Sequence, residues 1–214
     1  MTVEVSAPSD VFINCPFDRD YAPQFEALIF GVLACGFRPR TARELDDGGQ
    51  TRIDKLYGII EQCRYGVHDL SRTQLDAASG LPRFNMPLEL GIFLGAKRFG
   101  GDAHNTKRCL ILDVAPYRYQ QFISDLAGMD IADHGGEVAR TLTNLRNWLA
   151  NVSRRHGVIG GPALVAAHDR FRADLPAMAD ALGLDPADVP YVDFERIAIS
   201  WLAPSAPAAP PSSR

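Results

Sequence analysis

Arg64-Tyr-Gly-Val-His-Asp-Leu-Ser-Arg72, followed after Gly80 by Leu81-Pro-Arg-Phe-Asn-Met-Pro-Leu-Glu-Leu-Gly-Ile-Phe-Leu-Gly95, decides how the chain is read. Tyr65 to Leu70 is a compact apolar run of strand length, and Pro87 to about Lys97 reads as an apolar helix. Pro87 suits the first turn of a helix, where a missing N–H costs nothing, and Glu89 stands in that first turn. The connection between them, Ser71 to Pro87, is long for a compact domain, and long connections usually carry function. Asp69, Ser71, Arg72, Arg83, Asn85 and Glu89 therefore gather at one end of a sheet. In open α/β sheets, ligands bind outside the carboxyl ends of the strands.

Upstream, residues 1–9 are a short polar lead and Asp10 to Cys15 is an apolar strand ended by Pro16. Phe25, Leu28, Ile29, Val32 and Leu33 recur at helical period, and Gly36 stops that helix. Phe37 to Ala42 is a weak second strand, Glu44 to Gln50 an acidic loop, and Ile53 to Cys63 a second amphipathic helix. Downstream, Cys109 to Asp113 is a fourth strand, Tyr117 to Leu126 a short helix and Met129 to Ala132 a last short strand. Glu137 to Val152 follows as a helix with Leu142, Leu145, Trp148 and Leu149 facing inward. Strand–helix alternation implies an α/β domain with a mostly parallel five-stranded sheet and helices on both faces. We assign residues 1–155 to that domain, 156–203 to a helical C-terminal extension (helices at Leu164–Leu182 and Asp193–Leu202), and 204–214 to a disordered Pro/Ala/Ser tail.

Bulk composition narrows the function. The formal net charge is −4, so no basic surface points to a general nucleic-acid binder. Four cysteines, at 15, 35, 63 and 109, show no C-x-x-C spacing and read as reduced core thiols rather than a zinc site. No apolar run is long enough for a membrane span, and no secretory signal opens the chain, so a cytoplasmic protein is expected. The glycine pairs match neither a dinucleotide-binding G-x-G-x-x-G nor a P-loop. Asn14-Cys15-Pro16 stands where a phosphate-accepting receiver domain would carry paired acids.

A carboxylate in the first turn of a helix is held anionic by the helix dipole. It is a poor acid but is suited to stabilising or attacking a developing cation, such as the oxocarbenium ion of glycosidic cleavage. Asp69, at the end of the preceding strand, is the orienting or proton-handling partner. The bland alternatives are as simple. Glu89 merely stabilises its helix, Asp69 caps its own turn, and Arg72 and Arg83 pair with surface acids. His68 is a structural histidine within a strand.

Asp10-Val-Phe-Ile-Asn-Cys-Pro-Phe-Asp resembles the opening strand and loop of TIR domains, and also the Gly-Pro-Phe opening of nucleoside 2-deoxyribosyltransferases. Val67-His-Asp-Leu-Ser, the loop, and Glu89-Leu-Gly-Ile-Phe-Leu-Gly-Ala-Lys are similar to the Ala-Asp-Leu…Tyr-Glu-Leu-Gly pattern of the latter. The resemblance covers about residues 10–113. It departs at Phe84-Asn85-Met86-Pro87, where deoxyribosyltransferases carry Asp-x-Gly-Thr.

The resemblance implies a flavodoxin-like sheet with Glu89 as the catalytic glutamate and Asp69 as its partner. Phe17 would stack on a base, with Asn14, Pro16 and Asp18 lining the same mouth. Arg72 and Arg83 are candidates for holding phosphate, since guanidinium matches phosphate oxygens in bidentate fashion. The function implied is a nucleotide N-glycosidase cleaving NAD, taken as a substrate and not a cofactor, into nicotinamide and an ADP-ribose product. The alternatives are a deoxyribosyltransferase or nucleoside hydrolase, and a non-catalytic nucleotide-sensing or self-assembling module. At family level the resemblance also implies a role in antiviral defence, with a homo-oligomer or a partner defence protein.

Overall fold

The computed structural model describes residues 9–44, 47–75 and 80–203. Residues 1–8 of the expected polar lead and the Pro/Ala/Ser tail lie outside the described residues, as do positions 45–46 of the acidic loop and 76–79 of the long connection. The strands are β1 (Asp10–Asn14), β2 (Arg38–Arg40), β3 (Tyr65–Asp69), β4 (Arg108–Asp113) and β5 (Ile131–Asp133). The helices are α1 (Ala22–Ala34), α2 (Arg52–Gln62), α3 (Asn85–Phe99), α4 (Val138–Ser153), α5 (Gly161–Ala181) and α6 (Tyr191–Leu202). All strands pair in parallel, in the order β2-β1-β3-β4-β5. This is the parallel α/β sheet that the alternation predicts, in the flavodoxin-like strand order that the resemblance implies. The strand order reverses between β1 and β3, the position where open sheets leave a crevice.

Both faces of the sheet are covered, which is why Val11–Ile13 of β1 and Leu110–Leu112 of β4 read as unbroken apolar runs. Val11, Ile13, Tyr65, Val67, Leu110 and Leu112 face the cluster that includes Leu28, Leu142 and Leu145 of α1 and α4. Phe12 faces the other way, into Leu56, Ile59, Ile60 and Phe93 of α2 and α3. On β3, His68 packs edge-on between the rings of Phe12 and Phe93. Gly66 leaves room for that sandwich, because a Cβ there would lie 2.7 Å from His68 Nε2 and 2.9 Å from the Phe93 ring. Gly66→Ala is expected to overpack this face and to cost about 1–3 kcal/mol, read as a lowered midpoint in denaturant unfolding. An unchanged midpoint would mean that the sandwich has room to spare.

Local signals account for some element ends. Gly36, at φ 80°, closes α1. Its N–H donates to Leu33 O and that of Phe37 to Val32 O, the two bonds of a Schellman motif. Thr51 caps α2 by accepting from the Asp54 N–H. The carboxyl end of α2 is capped from afar, as the buried Lys107 ammonium donates to Ile60 O and Cys63 O, 2.5 Å each. A cation suits the free carbonyls of a helix end.

Two expectations need correction. The second strand is three residues rather than Phe37 to Ala42. It is an edge strand with Pro39 at its centre, and its flanking arginines both turn onto Asp10 of β1. Proline and charge are what blunt sheet edges. Tyr117 to Leu126 forms two short 3-10 turns, Arg118–Gln121 and Ser124–Leu126, rather than one helix. Tyr117 is left-handed there, at φ 58°. Arg118 is pinned to the sheet end by Asp113 Oδ1, Leu70 O and Thr73 Oγ1.

The two C-terminal helices join the same apolar cluster as α1 and α4. Phe30 of α1 stacks on Phe171 of α5 at 4.8 Å between ring centroids and meets Trp201 of α6 at 5.8 Å. All four cysteines are free, three of them buried and Cys109 partly so. Among the described residues, no helix is long and apolar enough to cross a membrane.

Candidate functional site

The site is built where β1 and β3 end side by side, Asn14 in register with His68. The Asn14 amide is buried and donates to His68 Nδ1 (3.0 Å) and to Met86 O (2.9 Å). It thereby ties two strand ends to the first turn of α3. Accepting at Nδ1 leaves the His68 proton on Nε2, and burial pushes the imidazole down to about 3, so it is neutral. His68 is thus a core histidine, with one nitrogen bonded and Nε2 without a hydrogen-bond partner among the described residues.

Asp69 ends β3 and is fully buried. Oδ2 accepts from the Tyr21 hydroxyl at 2.5 Å, and Oδ1 accepts from the Ser71 N–H at 2.8 Å. His134, just past β5, lies with Nε2 3.1 Å from Oδ2. Its Nδ1 accepts from the Gly136 N–H, which places the ring proton on Nε2, facing Asp69 without the alignment of a good hydrogen bond. Burial pushes the Asp69 carboxyl up, but His134, Ser71 and Tyr21 together outweigh it and hold the group below its ordinary value. Its oxygens face protein groups. It both caps its own turn and clamps the start of α1 to the loop after β5.

Glu89 sits in the second turn of α3 and not in the first. The helix begins at Asn85, two residues before Pro87, and the Leu88 N–H already closes onto Phe84 O at 2.9 Å. Pro87 is still in the first turn, so it costs no bond. Five per cent of Glu89 is exposed, and among the described residues its ion-pair partner is Arg52, with Nη2 at 3.6 Å. Burial pushes the carboxyl above its ordinary value, with Arg52 pulling the other way. The expected dominance of the helix dipole is corrected accordingly, since desolvation is the larger influence.

Arg52 itself is half exposed, with its guanidinium 5.7 Å from the centroid of the Phe17 ring. Arg43 approaches the same ring at 4.9 Å and donates to Phe17 O at 3.2 Å. Cys15, one residue past β1, is buried. Burial raises its thiol well above the ordinary value, and the Asp69 and Glu89 charges on either side add to this. It is inert as a nucleophile.

The predicted residues are thus partly gathered. Asn14, Pro16, Phe17, Asp69, Ser71 and Glu89 share the β1/β3 end. Pro16 and Ser71 are buried, and Phe17 is half-buried. Asp18 caps the short turn before α1 and pairs with Arg72 at 3.0 Å. Arg72 also reaches Asp20 at 3.3 Å, so it is engaged with acids as the bland reading expects. Arg83 and Asn85 are exposed, on the far end of the loop and the first residue of α3.

Four site residues were not read from the sequence: Tyr21, Arg43, Arg52 and His134. Parallel topology holds the signal for them, because every strand-to-helix connection returns to the carboxyl edge. The connections after β1, β2 and β5 carry Tyr21, Arg43 and His134, and Arg52 opens the helix that follows β2. No group of three or more potential metal-ligating side chains occurs among the described residues. Neither protein-family models, nor curated proteins, nor solved structures yield a match to this chain.

Proposed function

We propose that this site cleaves the N-glycosidic bond of a nucleotide in the cytoplasm, with NAD as substrate and nicotinamide and an ADP-ribose product as the outcome. The observation that carries the reading is Glu89: a desolvated carboxylate beside the sheet's switch point, touched by the Arg52 guanidinium, which itself lies near the Phe17 ring. An anion in a dry site is worth far more to a developing cation than one in water. As the bond from the anomeric carbon to the ring nitrogen lengthens, its electron pair passes to the nitrogen. Positive charge grows on the ribose, where Glu89 stabilises it. The nicotinamide nitrogen is already cationic in NAD, so the base departs neutral and needs no acid. Water then adds to the anomeric carbon and loses a proton. Asp69, sealed by Tyr21, Ser71 and His134, acts as a positioning residue. Arg52 moves from Glu89 to the diphosphate, which guanidinium recognises well.

Glu89 must be ionised to act, so activity falls as pH drops through its folded pKa. That value lies above the ordinary 4.5 because of burial, and Arg52 restrains the rise. The acid limb of kcat/KM is therefore expected above pH 4.5 and further up in Arg52→Ala. A limb at or below the ordinary value in both proteins would remove Glu89 as the titrating group. Chromatography of products from NAD and from a panel of nucleosides identifies the class. Base exchange between deoxynucleosides would point instead to a deoxyribosyltransferase.

One observation favours a second reading. Arg52 stands against Glu89 and offsets its charge, which suits a nucleotide sensor or self-assembling module that binds without turnover. Binding with no product from any substrate would be its mark.

A further inference from the structure

A cavity of about 490 Å³ lies beside the site, between the loop after β1, the start of α1 and the loop joining α5 to α6. Its volume is in the range of small-molecule pockets, which run to roughly 300–1,000 Å³. Phe17 and Phe25 meet edge to face at one wall, at 5.4 Å between centroids. The Arg43 guanidinium lies over both rings, at 4.9 Å and 5.5 Å, and its bond to Phe17 O keeps it there. Arg43 is exposed, and its planar guanidinium, held against the rings, offers a flat cationic surface of the kind on which bases stack.

The opposite wall is Ala187, Asp188 and Val189 of the α5–α6 loop. The Asp185 carboxylate is occupied by the Ala187 N–H. The Asp188 side chain has no partner among the described residues and supplies an acceptor for ribose hydroxyls. Phe17 is the hinge of the arrangement. It lines the cavity, and its other neighbour is Arg52, the residue that contacts Glu89.

We infer that this cavity takes the nucleoside at the end of the dinucleotide away from the scissile bond, and that the α5–α6 loop is its specificity wall. The inference rests on the glycosidase reading for the position of the scissile bond. It gives the C-terminal helices a role in recognition, because the loop between them completes a pocket that the α/β sheet alone leaves open on one side. The substrate then spans the carboxyl edge, with its diphosphate passing Phe17 between Arg43 and Arg52.

The test is calorimetric titration of the full chain carrying Glu89→Gln, with and without Ala187→Trp. Ala187 is exposed, so the indole fills the cavity mouth without disturbing the core, and an unchanged melting temperature checks this. The probes are NAD, adenosine monophosphate and nicotinamide mononucleotide. The expected result is a loss of at least tenfold in affinity for NAD and adenosine monophosphate, with nicotinamide mononucleotide within twofold. Three results would overturn the assignment: NAD affinity unmoved by Ala187→Trp, equal weakening of all three ligands, or no binding of adenosine monophosphate without Ala187→Trp. Loss of adenosine monophosphate alone, with NAD unchanged, marks a separate effector site and also overturns it. Catalysis by Glu89 is read separately from product release, so the two readings fail independently.

Discussion

Asp69→Ala is expected to remove a large part of the protein's stability. The carboxylate is fully buried and serves the Tyr21 hydroxyl, the Ser71 N–H and the His134 ring at once. Alanine would leave those groups in a dry interior without their acceptor. An orphaned buried donor costs about 1–3 kcal/mol, and breaking a buried charged cluster costs roughly 3–5 kcal/mol. A domain has only about 5–15 kcal/mol in all. At about 2–4 °C per kcal/mol for a chain of this size, the melting temperature should fall by about 10 °C or more. A fall of only a degree or two would mean that the clamp is not built as described.

The same residue makes an acid prediction. Its folded pKa lies below the ordinary 3.8, so its contribution is fully present above that value and is lost as pH drops through the folded one. Asp69→Asn keeps the shape and removes the charge. The stability gap between wild type and Asp69→Asn should be open at neutral pH and close under strong acid. A gap that stayed constant down to pH 2 would contradict the account.

Glu89→Gln carries the other large effect, and it falls on turnover. The amide keeps the volume and loses the anion. Removing a group that stabilises transition-state charge in a dry site should lower kcat at least about a thousandfold. Stability should move the other way or not at all. Burial raises the Glu89 carboxyl, so ionising it in the folded protein costs free energy at every pH above its unfolded value, and a neutral amide avoids that cost. Its partner Arg52 is half exposed and can turn to solvent. An equal or slightly higher melting temperature, together with lost turnover and retained NAD binding, is the expected signature of a functional carboxylate. A large drop in melting temperature would instead mark Glu89 as structural.

The centre of the sheet was legible because β1 and β4 carry apolar residues on both sides and the helices that cover them show buried stripes. Val11-Phe12-Ile13 and Leu110-Ile111-Leu112 admit no other reading once helices are seen to alternate with them. Boundaries were less legible where a signal had two meanings. Pro87 marks a first turn but not which residue of it, and a shift of two residues moved Glu89 from the helix end into a desolvated position. Asp69 illustrates the same ambiguity, since capping its own turn and anchoring distant groups turned out to be one geometry. The contacts of Tyr21 and His134 with Asp69 span 48 and 65 residues of chain. No local pattern reports them, because they exist only after β1, β3, β4 and β5 have been laid side by side. Arg72 was visible but engaged elsewhere, whereas Arg43 and Arg52 occupy the neighbourhood of Phe17.

The central claim is that Glu89 cleaves the bond between ribose and base. The most direct measurement is nicotinamide released from NAD, followed by chromatography for wild type and Glu89→Gln at equal folded concentration. The account predicts nicotinamide and an ADP-ribose product from the wild type and neither from the variant. Equal release from both proteins would contradict it.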